Sequence, residues 1–254
     1  MNNMEASDPV DDSINKIVEI ARSYDIVLFD PTSLGGVLEI LGLREKRNFD
    51  YDNLRVTDVH ESEAFLQSFI ELVRFRGPNR EKYGICTTDI ILSELKGTAI
   101  EKFKNKGKAV DKCMRNKIPH EAVERLIRAE NRLVSILQNE GKVLSFSAEE
   151  KATYNVCKRA YTGLQTVYRL NYPDINFLSS GLAIVLEGNK SCALLSNDIG
   201  VIEAGRYIAR NEVLAPAQLG MYGSFLPKGI PMREHIPECI TKDEKKRPSS
   251  IVSF

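Results

Sequence analysis

The chain has 254 residues, of which 43% are hydrophobic and 28% charged, with 35 basic side chains balanced by 35 acidic ones and only three histidines. This composition belongs to a globular chain with room for a large core; it excludes collagen-like, coiled-coil and wholly disordered classes, and a neutral balance argues against coating nucleic acid through global charge. The longest apolar runs fall far short of a membrane span, and the acidic start (Glu5, Asp8, Asp11, Asp12) lacks an apolar leader, so a cytoplasmic protein without a membrane partner is expected. The five cysteines are widely spaced, which fits reduced thiols, and the scattered histidines offer no local zinc site, so carboxylates must carry any metal chemistry.

In chain order, Ile14, Ile17, Val18 and Ala21 predict a helix inside an N-terminal extension over residues 1–24. Ile26 to Phe29 reads as a buried strand that ends at Asp30-Pro31; a helix follows through Leu34, Val37, Leu38 and Leu41, interrupted at Gly35-Gly36. Leu66, Phe69, Ile70 and Val73 predict the next helix, residues 84–87 a second strand, and Thr87-Thr88 the cap of a helix carrying Ile90, Ile91, Leu92, Glu94 and Leu95. Residues 96–117 hold Lys96, Lys102, Lys104, Lys106, Lys108, Lys112, Arg115 and Lys117 against Glu101 and Asp111, a basic patch hidden by the neutral average. Pro119 opens a long helix closed by Gly141, a short apolar run follows at Val143-Leu144, and another helical pattern covers 148–169. Tyr172-Pro173-Asp174 starts a helix that ends at Gly188-Asn189; Cys192 to Leu195 is an apolar strand running into Ser196-Asn197-Asp198; a helix through Ile202 to Ala209 and a last strand at Val213 to Ala215 complete the pattern. Short, wholly apolar strands alternating with helices predict an α/β fold, a parallel sheet flanked by helices on both faces, with the active site at the carboxyl ends of the strands.

Asp30 and Asp198 each follow an apolar strand directly, and Glu94 and Asp174 fall in helices that start from the same edge, so four acids are expected to converge on one cleft. Clustered carboxylates repel unless a divalent cation neutralises them, and Mg2+ or Mn2+ is the natural occupant. The same repulsion predicts that Asp30→Asn leaves metal-free stability equal or higher. Each acid also has a plainer explanation. Asp174 and Asp198 stand where an N-cap is wanted, and Asp30 before a proline suits a turn. Glu94 lies at i+4 from Ile90 and i+3 from Ile91, which places it toward the buried stripe of its helix, where an unpaired carboxylate is costly.

Four blocks together resemble the PIN-domain nucleases: Val27 to Leu34 around Asp30, Thr87 to Leu95 around Glu94, Asp174 to Leu178, and Leu194 to Asp198. The resemblance implies a PIN-like, Rossmann-type three-layer domain over 25–216, with a helical insertion at about 98–170 and a C-terminal extension over 217–254. It also implies that Asp30, Glu94, Asp174 and Asp198 hold the metal ions of an endoribonuclease that leaves a 5′ phosphate. Thr32, Ser196 and Asn197 would support the site, and Lys102, Lys104, Lys106 and Lys108 would grip the RNA backbone. The chain departs from the family at Pro31-Thr32, where a Thr or Ser and then an Asn are usual, and in the length of the 98–170 stretch. A PIN-like module that no longer cuts and serves binding or assembly is the alternative, and an aspartate-nucleophile phosphatase a weaker one, because Thr32 stands where its second Asp belongs. RNA is the expected partner; a protein inhibitor, an assembly partner and a homo-oligomer stay open.

Overall fold

A computed structural model of the chain describes residues 9–34, 37–41, 51–74, 84–96, 99–188, 190–211 and 218–223. Its centre is a four-stranded parallel sheet, β1 (Ile26–Phe29), β2 (Ile85–Cys86), β3 (Cys192–Leu195) and β4 (Leu219–Tyr222), in the order β2-β1-β3-β4. Ile26 to Phe29 pair in register with Cys192 to Leu195, which in turn pair with Leu219 to Tyr222. An isolated parallel bridge between Thr87 and Val143 adds one further rung outside β2. Successive strand residues point to opposite faces, yet all four residues of β3 are buried, as are Val27, Leu28 and Phe29, so helices cover both faces of the sheet.

Nine α-helices accompany the sheet among the described residues: α1 (Pro9–Ser23), α2 (Val37–Ile40), α3 (Val56–Arg74), α4 (Asp89–Lys96), α5 (Ala99–Arg115), α6 (His120–Asn139), α7 (Ala148–Tyr168), α8 (Tyr172–Gly188) and α9 (Ile199–Asn211). Helix α1 buries Ile17, Ile20 and Ala21 against α3 and β1, so the helix expected in an N-terminal extension belongs to the core. The 98–170 stretch is woven in likewise. Helix α6 packs on α3 through the stripe Val123, Leu126, Leu133 and Leu137, its chain returns to the Val143 bridge, and α7 packs along α8 through Cys157, Tyr161 and Leu164. Helix α7 begins with a capping box in which Ser147 accepts from the Glu150 N–H and the Glu150 carboxylate accepts from the Ser147 N–H.

Two expectations about the end of the chain change. The strand expected at Val213 to Ala215 lies outside the described residues, and the sheet takes its last strand from Leu219–Tyr222, beyond the expected boundary at 216. Gly220 hides that strand in the sequence, and packing explains the glycine: a Cβ there would lie 2.4 Å from the Tyr24 hydroxyl. Tyr24 and Tyr222 share a hydroxyl contact of 2.9 Å, and burial, followed by that contact, pushes the Tyr24 phenol well above its usual range. At the amino ends of β1 and β3, the Asp25 carboxylate accepts from the Ser191 N–H and hydroxyl, each at 2.8 Å, and these bonds hold its pKa below the usual carboxylate value.

Candidate active site

In the order β2-β1-β3-β4 the chain leaves β1 toward one side and later returns to its other side, so the connections diverge between β1 and β3. The crevice at the carboxyl ends of these two strands is where open α/β sheets place their ligands. The residues that follow the strands, 30–34 and 196–198, meet there.

Asp30 is the hub. Only 3% exposed, its carboxylate accepts four hydrogen bonds: at Oδ1 from the Thr32 N–H (2.7 Å), the Thr32 hydroxyl (2.5 Å) and the Ser33 N–H (3.2 Å), and at Oδ2 from the Ser196 hydroxyl (2.6 Å). The Pro31–Leu34 turn, a single 3₁₀ turn, presents the first three donors, while Ser196 reaches across from the end of β3. Both hydroxyl protons are thus committed to Asp30, and the hydroxyl oxygens accept in turn from the Asn197 N–H (2.8 Å, to Thr32) and the Asp198 N–H (3.0 Å, to Ser196). Asn197 also donates its side-chain amide to the Thr32 carbonyl at 2.9 Å. Chained donors of this kind polarise one another, and a carboxylate ringed by donors is matched to its ionised, acceptor-only form. The three supporting residues expected from sequence, Thr32, Ser196 and Asn197, are therefore all joined to Asp30.

The other three acids have distinct settings. Asp198 caps α9, its Oδ1 accepting from the N–H groups of Gly200 (2.9 Å) and Val201 (3.4 Å). Asp174 closes a capping box at the start of α8: the Asn171 side chain accepts from the Asp174 N–H at 2.9 Å, and the Asp174 carboxylate accepts from the Asn171 N–H at 2.8 Å. Seven residues on, Gly181 lies so close to Leu194 that a Cβ would fall 2.6 Å from that side chain. At 1.5 Å per residue Asp174 lies about 10 Å along α8 from that contact. Glu94 requires a correction. Ile91, Leu92 and Leu95 form the buried stripe of α4, and Glu94, roughly a quarter-turn round the helix from its centre, is exposed rather than buried. The charge of Glu94 is thus met without the desolvation that the sequence argument assumed.

Among the described residues no three His, Cys, Asp or Glu side chains are gathered tightly enough to enclose a metal ion. Asp30 and Asp198 follow neighbouring strands, and the Asp198 backbone N–H is joined to the Asp30 carboxylate through the Ser196 hydroxyl. Ser33 and Asn171 are additions to the expected set; both carry a signal in the sequence, Ser33 by its place three residues after the acid and Asn171 by the Asn-x-x-Asp spacing of a capping box. Of the lysines expected to grip RNA, Lys102, Lys104 and Lys106 lie in α5 with side chains outside the described residues, and Lys108 is exposed. Burial pushes the Cys86 thiol up to about 12 and raises Cys192 as well, so neither is an activated nucleophile. Comparison with models of known families, with curated proteins and with solved structures finds no match to the chain.

Proposed function

We propose that the chain is a divalent-metal-dependent endoribonuclease of PIN-like type, working at the crevice between β1 and β3. The observation that carries this reading is the buried Asp30 carboxylate, tied by donors from both strand ends and adjoined by Asp198, at the position where this sheet topology puts chemistry. Separated carboxylates on a common edge suit Mg2+ or Mn2+, which takes one or two carboxylates and completes its shell with water and substrate phosphate, better than they suit a closed cage. Asp30 and Asp198 would hold the ion, with Asp174 and Glu94 contributing from the helices. Such an ion, when bound, supplies a water of lowered pKa and charge neutralisation at the phosphate. The chain's own part is to keep the Asp30 carboxylate fixed through Thr32, Ser33 and Ser196, and to place the Asn197 amide beside them.

A phosphatase that uses Asp30 as nucleophile suits the chain poorly, since Thr32 stands where its second Asp belongs and commits its hydroxyl to Asp30. A non-cutting module is favoured by one observation, the use of Asp174 and Asp198 as helix caps. The deciding experiment incubates the full chain with a labelled single-stranded RNA in Mn2+, in Mg2+ and in EDTA. The nuclease reading expects fragments with 5′ phosphates in either metal, none in EDTA, and none from Asp30→Asn or Asp198→Asn. RNA left intact in both metals would overturn the nuclease reading.

A further inference from the structure

Helices α7 and α8 carry a row of aromatic rings that the nuclease reading leaves unused. Tyr172, the first residue of α8, is 56% exposed. Lys158 of α7 donates to its hydroxyl at 3.0 Å and holds Nζ 4.4 Å from its ring centroid. The same ammonium lies 6.0 Å from the Tyr154 ring, which packs at 5.3 Å against Phe146. Asn176 fixes the row in place. Almost fully buried, it accepts from the Tyr154 hydroxyl and donates to the Tyr172 carbonyl at 2.7 Å. Helix α8, which Tyr172 opens, packs against α4, and Tyr172 stands two residues before Asp174.

The packing of α7 on α8 does not require this arrangement, because Cys157, Tyr161 and Leu164 already bury that interface. What the arrangement offers is an exposed tyrosine ring, positioned by a buried amide, with a lysine ammonium beside it. Single-stranded nucleic acid is bound by that combination, in which a base stacks on an aromatic ring and a neighbouring lysine meets its phosphate. We infer that Tyr172 and Lys158 form a stacking platform for one base of the RNA strand that enters the crevice. The inference rests on the nuclease reading for the identity of the polymer.

The test measures binding of the full chain to a labelled oligouridylate of about ten nucleotides by fluorescence anisotropy in EDTA, a length that spans a typical single-strand site. Tyr172→Ala should weaken binding about tenfold, and Tyr172→Phe, which keeps the ring and loses the hydroxyl, should stay within about twofold of the parent. An oligomer of the same length with abasic sugars should bind the parent and Tyr172→Ala alike. Equal uridylate affinity of parent and Tyr172→Ala overturns the platform, and so does a Tyr172→Phe loss as large as that of Ala, which would assign the effect to the Lys158 hydrogen bond. Cleavage in Mn2+ is scored separately. RNA that binds through Tyr172 but is never cut defeats the nuclease reading alone, and RNA that is cut while Tyr172→Ala binds normally defeats the platform alone.

Discussion

A carboxylate matched by four donors responds to substitution differently from one held among competing acids. In Asp30→Asn the amide would turn an NH2 group toward the Ser196 hydroxyl or toward the Thr32 and Ser33 donors, leaving buried donors unmatched. The expected cost is about 1–3 kcal/mol of unfolding free energy, measurable by urea titration without metal. This reverses the sign that carboxylate repulsion predicts, and an unchanged or higher midpoint would restore the repulsion argument. Glu94 is the contrasting case. Being exposed, it should tolerate Gln with a change within about 0.5 kcal/mol, while Mn2+-dependent cleavage falls and is partly recovered at higher Mn2+. Destabilisation without metal rescue would remove it from the site. Asp25 supplies a pH dependence. Its folded pKa is depressed by Ser191, so its contribution is present above the unfolded value of about 4 and is lost as pH falls through the lower folded value. The stability gap between the parent and Asp25→Asn should therefore be constant from pH 7 to 5 and shrink toward pH 3, followed by thermal melts; a gap that widens on acidification would contradict the assignment. At this scale the sequence discloses Asp30 and its partners Thr32, Ser196 and Asn197 because all flank apolar strands. It misplaces Glu94 because an eight-residue helix shows too few apolar positions to settle its buried direction.

Helix α9 is aligned by close approach at its first turn, where a Cβ on Gly200 would lie 2.3 Å from the Tyr168 carbonyl and 3.3 Å from Asp198 Oδ1. Gly200→Ala should therefore push the start of α9 from the end of α7, cost about 1–3 kcal/mol as overpacking, and disturb the capping bond that orients Asp198. The expected result is a lower melting temperature together with reduced Mn2+-dependent cleavage; unchanged values for both would mean that the two helices separate freely. Elements with an apolar signal of adequate length are legible in the amino-acid order by itself. Strands β1 and β3 stand where their unbroken apolar runs lie, and α7 and α8 follow the expected spans closely. Strand β4 is not legible there, because Gly220 interrupts a run too short to show alternation and is itself required by Tyr24, remote in sequence. The ring row of Phe146, Tyr154 and Tyr172 escapes for a similar reason: its members come from a loop and two helices, and no local period links them.

For the whole molecule, 35 basic and 35 acidic residues leave no net charge to draw in a polyanion, so the electrostatic part of any RNA affinity must come from local cations. Replacing Lys102, Lys104, Lys106 and Lys108 together by Gln should weaken RNA binding and lower the slope of log K against log salt by about 0.7 for each phosphate that is no longer neutralised. An unaltered slope across a salt series would show that these lysines do not meet the RNA backbone. The strand pairing carries a different consequence, for self-association. On one side the ladder ends in a two-residue strand and the single Thr87 to Val143 rung; on the other it ends in the four residues of β4, with Gly220 among them. Among the described residues, a second chain extending this sheet would meet two residues of β2 at one rim and four of β4 at the other, short stretches of backbone to copy. The wholly apolar strands β1 and β3 are kept at the centre of the sheet, away from both rims.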